Sequence, residues 1–420
     1  MYKELRTSFA VVALFLMVFS ATFQGCFSAA NQPQNKKKPT QPTASRGLGS
    51  SVIFPVHGNV YPDGIYTVSL KIGSRKKPYV LDVDTGSDLT WVQCDLPCTG
   101  CTKDRASLYK PNKNSAVRCN DPICVALHSP GKPCKNPDEQ CDYEIEYADH
   151  GSSLGVLVKD SFPLQFINGS HFAPFLALGC GYNQQFSRTN PPSTDGVLGL
   201  GTGKASIVSQ LHDLGLIRNV LGHCLSRKGG GFLFLGADLV PPSGINWAPM
   251  SNSLEKHYSS GPAELLFDGK STGVKGLSMV FDSGSSYTYF SSQAYQTTLS
   301  LVRKSLTGKP LKDAVDNSLP VCWKGAKPFR SVSDVKDYFK PLVLSFTKAG
   351  SVQLQLPPEA YLIVTKHGNV CLGILNGTEV GLGNSNIIGD ISMQDKLVIY
   401  DNEKQQIGWA PANCDRPQKS

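Results

Sequence analysis

Two stretches of this chain, 198 residues apart, share one design. Residues 79–94, YVLDVDTGSDLTWVQC, read as an apolar strand that delivers Asp84 into the turn Thr85-Gly86-Ser87. Residues 277–286, LSMVFDSGSS, repeat it: Val280 and Phe281 deliver Asp282 into Ser283-Gly284-Ser285. One Asp-Thr/Ser-Gly triplet in a chain of 420 residues carries little weight at ordinary residue frequencies. Two of them, each after an apolar strand and each followed by Ser, point to duplication. A second pair of motifs agrees. Val197-Leu198-Gly199 ends 115 residues after Asp84, and Ile387-Ile388-Gly389 ends 107 residues after Asp282. Self-similarity at this scale predicts two lobes of related fold.

Each lobe would present one carboxylate from a loop whose Gly lets the backbone approach its partner closely. Two carboxylates facing one another across a pseudo-twofold do not both ionise easily, so one keeps a proton at acid pH. Such a pair acts as base and acid in one step. With these residues in place, the chain resembles the pepsin-like aspartic proteases, and its cysteine pattern resembles their plant nucellin-like and nepenthesin-like branch. The resemblance runs from about residue 61 to residue 414. It implies an all-β, bilobal fold with a few surface helices and an active-site cleft between the lobes. One departure is the second motif, Asp-Ser-Gly where Asp-Thr-Gly is usual; Ser still carries the bracing hydroxyl. The interval from Asp282 to Gly389 is too short for the domain-sized insert of the typical plant vacuolar members.

Composition fits a β-rich, two-lobed chain: 40 glycines, 28 prolines and few long helical patterns. The net charge of +8 is spread out, with no basic, aromatic-interleaved face, which argues against a nucleic-acid partner. Residues 1–30 read as a secretory leader, with Lys3 and Arg6 ahead of an apolar core and Ser28-Ala29-Ala30 as a cleavage site. Residues 31–50 form a polar segment with Lys36, Lys37 and Lys38, either a linker or a short propeptide. The first lobe is then expected over 51–240 and the second over 241–420, divided near Pro241-Pro242. No stretch in the mature chain reads as a membrane span, and the C-terminus has no apolar tail for a lipid anchor.

Of thirteen cysteines, Cys26 falls in the leader and twelve remain: Cys94, Cys98, Cys101, Cys119, Cys124, Cys134, Cys141, Cys180, Cys224, Cys322, Cys371 and Cys414. The spacing of Cys94, Cys98 and Cys101 would suit zinc, but a leader implies an oxidising compartment, so disulfides and no metal are expected. Pairings among the first eight are open. In the second lobe the resemblance implies Cys322 with Cys371 and Cys224 with Cys414.

Tyr143, Ile145 and Tyr147 alternate into the turn Asp149-His150-Gly151, and alternation resumes at Val156 and Val158: a β-hairpin. The resemblance makes it the flap over the substrate, with Tyr147 as its tyrosine and Trp91 as the supporting tryptophan. His150 puts an ionisable ring at its tip, where the family commonly has a small residue. Residues 151–155, GSSLG, match a serine-nucleophile elbow, but strand-like residues follow where that motif needs a helix. Helices are predicted over 203–215, 291–306 and 334–346. Asn168 and Asn376 open glycosylation sequons. The function implied is that of a monomeric, cofactor-free aspartic endopeptidase. It would be secreted or vacuolar and cut polypeptides at acid pH beside hydrophobic residues. The rival is a protein of the same fold that has lost catalysis and binds other secreted proteins.

Overall fold

The computed structural model describes residues 50–73, 78–128, 136–186, 193–251, 257–346 and 352–417. The leader, residues 31–49, the basic turn at 74–77 and Cys134 lie outside them. The described residues belong to one unit, residues 46–420. Strands dominate it, as expected.

The largest sheet has thirteen strands. Its hairpins show period-two burial, for example Ile65–Lys71, where Tyr66, Val68 and Leu70 point into the core and Ser69 and Lys71 face out. The sheet also takes in three strands from beyond residue 240, the stretch expected as the second lobe. Lys396–Asp401 pairs antiparallel with Val220–Leu225, Leu221 opposite Tyr400, and Gln406–Pro411 and Asn246–Pro249 follow at the edge. The C-terminal strands therefore join the sheet of the first repeat, and the Cys224–Cys414 bridge ties the same corner.

A second sheet of eight strands carries the second repeat. In both sheets the strand that leads to the Asp pairs parallel with the strand that carries the apolar-apolar-Gly motif up to its Gly. Pro78–Asp84 runs beside Gly196–Gly199, with Gly199 opposite Asp84. Leu277–Phe281 runs beside Asn386–Ile388, with Phe281 opposite Ile388. The two offsets seen in the sequence are thus one structural device used twice.

Two helix predictions hold in shortened form, as Ile207–Asp213 and Ser292–Ser305. The first starts late because the Gly203 amide donates to Asp88 Oδ1 at 2.8 Å and holds the chain in a loop. The third is corrected. Residues 334–346 contain the 3₁₀ turn Lys336–Tyr338 and then the strand Leu342–Phe346. Pro341 disfavours helical backbone at Lys340. Leu342, Leu344 and Phe346 are buried as the strand pairs with Ser259–Phe267, and Phe346 packs on Trp409 with ring centroids 5.3 Å apart.

Disulfides join Cys94 to Cys180, Cys98 to Cys101, Cys124 to Cys141, Cys224 to Cys414 and Cys322 to Cys371, and Cys119 is bonded as well. The three cysteines with zinc-like spacing are therefore held in bridges. Cys124, His128 and Cys141 cluster too, but the two sulfurs are joined to each other, which leaves one imidazole and no thiolate pair. Thiol titration of the mature chain under denaturing, non-reducing conditions is expected to find no free thiol among its twelve cysteines. A stoichiometric thiol would mean that a bridge described above is absent in solution.

Candidate active site

The two Asp turns meet at the junction of the lobes and are locked by reciprocal bonds. The Thr85 amide donates to Ser283 Oγ at 3.1 Å and the Ser283 amide donates to Thr85 Oγ1 at 2.9 Å. Each hydroxyl in turn donates to the opposite strand, Thr85 Oγ1 to Phe281 O at 3.0 Å and Ser283 Oγ to Val83 O at 2.7 Å. Ser283 thus does the work of the Thr that the second motif lacks. All of these groups are buried, so each bond that broke would leave an unsatisfied polar atom.

Each carboxylate is braced the same way. Asp84 Oδ1 accepts from the Gly86 amide at 2.8 Å and Oδ2 accepts a short bond from Ser87 Oγ. Asp282 Oδ1 accepts from the Gly284 amide at 2.9 Å and Oδ2 from Ser285 Oγ at 2.8 Å. The glycines are required by proximity. A Cβ on Gly86 would lie 2.5 Å from Asp282 Oδ1, and one on Gly284 would lie 2.5 Å from Asp84 Oδ1. Each Gly thus makes room for the carboxylate of the other lobe.

Asp84 is only 6 % exposed, while Asp282 is half-buried. Burial, and then the negative charge of Asp282, push the Asp84 carboxyl up to about 7. The shared proton is a property of the pair rather than of either oxygen. Such an arrangement can hold an acid and a base side by side.

The hairpin expected as the flap is formed by Asp142–Glu146 and Ser152–Ser161. Its turn closes with the Tyr147 amide donating to Gly151 O at 2.8 Å and the His150 amide to Tyr147 O at 2.9 Å. Trp91 Nε1–H donates to Tyr147 Oη at 2.6 Å, and both rings pack in one cluster with Leu89, Tyr143 and Leu157. Burial raises the Tyr147 phenol well above its usual range, with Asp84 as the second cause, so it stays protonated and able to donate. His150 sits at φ 67° at the exposed tip, 3.9 Å from Glu146 Oε1. Its ring faces Gly381, where a Cβ would come within 3.9 Å of it. The GSSLG segment lies in the flap hairpin, and Ser153 Oγ pairs with Tyr143 Oη at 3.0 Å. No nucleophile elbow forms there.

Two buried titratable groups, the first of them beside the pair, carry no mark that the sequence motifs singled out. Asp390 follows Gly389 at 1 % exposure, and burial, then Asp82, Asp282 and Asp84, raise its carboxyl well above the usual range. Its signal was the acid directly after the second apolar-apolar-Gly motif, where the first has Leu200. His223 is fully buried, shares a hydrogen bond of 3.1 Å with Tyr400 Oη, and is pushed down to about 3 by burial alone. Nothing in its local sequence marks it.

Comparison with known proteins agrees with this geometry. Family profiles described as xylanase inhibitor N-terminal and xylanase inhibitor C-terminal match residues 66–237 and 262–411. An aspartic proteinase of Oryza sativa subsp. indica is 45% identical over 385 residues, covering 88% of this chain and 93% of that protein. Aspartic proteinase nepenthesin-1 of Nepenthes gracilis is 29% identical over 386 residues, 86% of this chain and 80% of its own. Among solved structures, basic 7S globulin from soybean superimposes with a TM-score of 0.68 at 17% identity, covering 87% of this chain and 96% of its own. That likeness speaks to fold.

Proposed function

The chain belongs to the TAXi-like family of pepsin-fold aspartic proteases, and on that premise we propose that it is an aspartic endopeptidase working at acid pH. The observation that carries the proposal is the pair of carboxylates, each braced by an amide and a Ser hydroxyl and held face to face by the Thr85–Ser283 lock. In the proposed reaction a water lies between Asp84 and Asp282. The ionised carboxylate takes a proton from it as its oxygen attacks the scissile carbonyl carbon. The protonated carboxyl donates to the carbonyl oxygen, which gives a neutral gem-diol. The amide nitrogen then takes a proton from the pair, one gem-diol hydroxyl returns its proton to the other carboxylate as the C–N bond breaks, and acid and amine leave with the pair again holding one proton. Neither a covalent intermediate nor a metal is called for.

The substrate would lie extended beneath Tyr147 and Gly151, its backbone bonding to the flap and its hydrophobic side chains flanking the cut. Residues 1–30 would route the chain through the secretory pathway to the apoplast or vacuole, as a monomer. Digestion of a denatured protein by purified material is the test. The rate is expected to be high in acid and to fall about tenfold per pH unit above roughly 7, where the pair loses its proton and with it the acid. A statine-type transition-state mimic should block it. A maximum above neutrality, or digestion indifferent to the mimic, would defeat the proposal.

A second reading draws on the inhibitor descriptions of the two matching family profiles: a binding protein that restrains another secreted enzyme. Loss of catalysis would be expected to leave a missing carboxylate or a degraded flap. Asp84, Asp282, Trp91 and Tyr147 are all in place, which favours the protease.

A further inference from the structure

We propose that Asn168 carries an N-linked glycan whose inner sugars cover Ile167, Phe172 and Phe175, and that the second sequon, at Asn376, stays bare. This rests on the secretory routing proposed above, since the transfer enzyme is met only there.

The two sequons are built differently. Asn168 stands on a tight turn between Leu164–Gln165 and His171–Phe172. The turn is closed by the Gly169 amide donating to Phe166 O at 2.9 Å and the Phe166 amide donating to Ser170 O at 2.9 Å. Gly169 has φ +85°, and nothing lies within 4 Å of a Cβ built there. Beneath the turn Phe166 is buried and bridges to Val52, while the Ile167 amide donates to Ser51 O at 2.9 Å, so the tip is held on the body of the protein. Asn168 itself is exposed. Its carboxamide oxygen accepts from the Ser170 amide at 2.9 Å and from Ser170 Oγ at 2.7 Å. Both bonds go to the oxygen, which leaves the nitrogen, the atom a sugar is joined to, outside the bonded set. The sequon hydroxyl and the acceptor amide are thus already side by side on an open turn.

Asn376 is 8 % exposed and ends a strand paired with Thr288–Phe290. Its nitrogen donates to Glu379 Oε1 at 2.8 Å, and its oxygen accepts from the Thr378 amide at 3.3 Å. The Thr378 hydroxyl is taken up elsewhere, donating to Gly383 O at 3.0 Å and accepting from the Ser292 amide at 3.2 Å. A sugar on Asn376 would have no room and would break into the start of the helix Ser292–Ser305.

The surface beside Asn168 supplies a reason for the glycan. Ile167, Phe172 and Phe175 are 45 %, 56 % and 68 % exposed, all within nine residues of chain. Exposed large apolar side chains this near one another in the chain favour association with other surfaces. A bulky, solubilising oligosaccharide rooted at Asn168 covers them, with the apolar faces of its first sugars against the aromatic rings.

The experiment secretes the full chain from a eukaryotic host, once with its own leader and once with a heterologous one. Glycopeptide mass spectrometry is then applied to the folded, disulfide-bonded product. Asn168 is expected to be occupied on most molecules and Asn376 on essentially none. A bare Asn168 in secreted protein, or an occupied Asn376, overturns the assignment. If secretion needs the heterologous leader, the routing proposal fails while the site is still judged. The cover is read separately, by stripping the glycan from folded protein with an amidase and measuring binding of a hydrophobic dye. Dye binding is expected to rise roughly twofold or more, and not to rise in a Phe172→Ser, Phe175→Ser variant treated alike. An unchanged signal in the unsubstituted protein would show that the glycan covers nothing.

Discussion

Asp84→Asn and Asp282→Asn are each expected to lower kcat/KM on a peptide substrate by about 10³-fold or more while leaving the fold intact. Asn is nearly isosteric. Its oxygen still accepts from the Gly86 or Gly284 amide, so the braces seen at 2.8 and 2.9 Å survive. What is lost is the proton traffic, since one carboxylate cannot be base and acid at once. A structural control comes with the Asp84 variant. The folded state holds the Asp84 proton more tightly than an unfolded chain does, about 7 against an ordinary 3.8. This carboxyl therefore costs the wild type stability as pH rises from about 4 to about 7, and the cost stays above that. Asp84→Asn removes the contribution, so its melting temperature above pH 7 should equal or exceed that of wild type. Substantial residual activity in either variant would refute a two-carboxylate mechanism. A stable, inactive Asp84→Asn protein would separate catalysis from folding.

Gly86→Ala and Gly284→Ala test the closeness of the pair rather than its charge. Each new methyl would begin 2.5 Å from a carboxylate oxygen of the other lobe, against roughly 3.5 Å for comfortable contact. The carboxylate cannot simply swing away, because an amide and a Ser hydroxyl hold it. Nor can the turn retreat easily, because the Thr85–Ser283 lock ties it down. The lobes must part or a brace must break. The expected result is a loss of about 10²-fold or more in kcat, the cost of misplacing reacting groups by a fraction of their contact distance. A destabilisation of about 1–3 kcal/mol from overpacking should accompany it. Stopped-flow or steady-state rates and a urea melt measure the two effects. If both Ala variants kept wild-type kcat, the carboxylates would not meet as described.

Determined by the sequence alone were those features whose physical cause is local or repeated. The Asp84 and Asp282 turns were legible because a turn motif and its partner strand occur twice, and duplication survives without coordinates. The hairpin over residues 142–161 was legible from alternation broken by Asp149-His150-Gly151, a period-two signal followed by turn chemistry, while its reading as a flap came from resemblance. The Cys322–Cys371 and Cys224–Cys414 bridges came from resemblance, and the structure contains both. Other features depend on which residues distant in the chain become neighbours, and only the tertiary structure decided those. Leu342–Phe346 looks helical in isolation and is a strand because Ser259–Phe267 stands ready to pair with it. Which cysteines of the insert join was open among many pairings until the strands brought Cys94 to Cys180 and Cys124 to Cys141. Asn168 and Asn376 are equal as sequons, yet one stands on an open turn and the other is enclosed beside Glu379. Asp390 and His223 are ordinary residues locally. Burial is a property of the packed whole; it alone pushes His223 down, and together with the neighbouring carboxylates it raises Asp390.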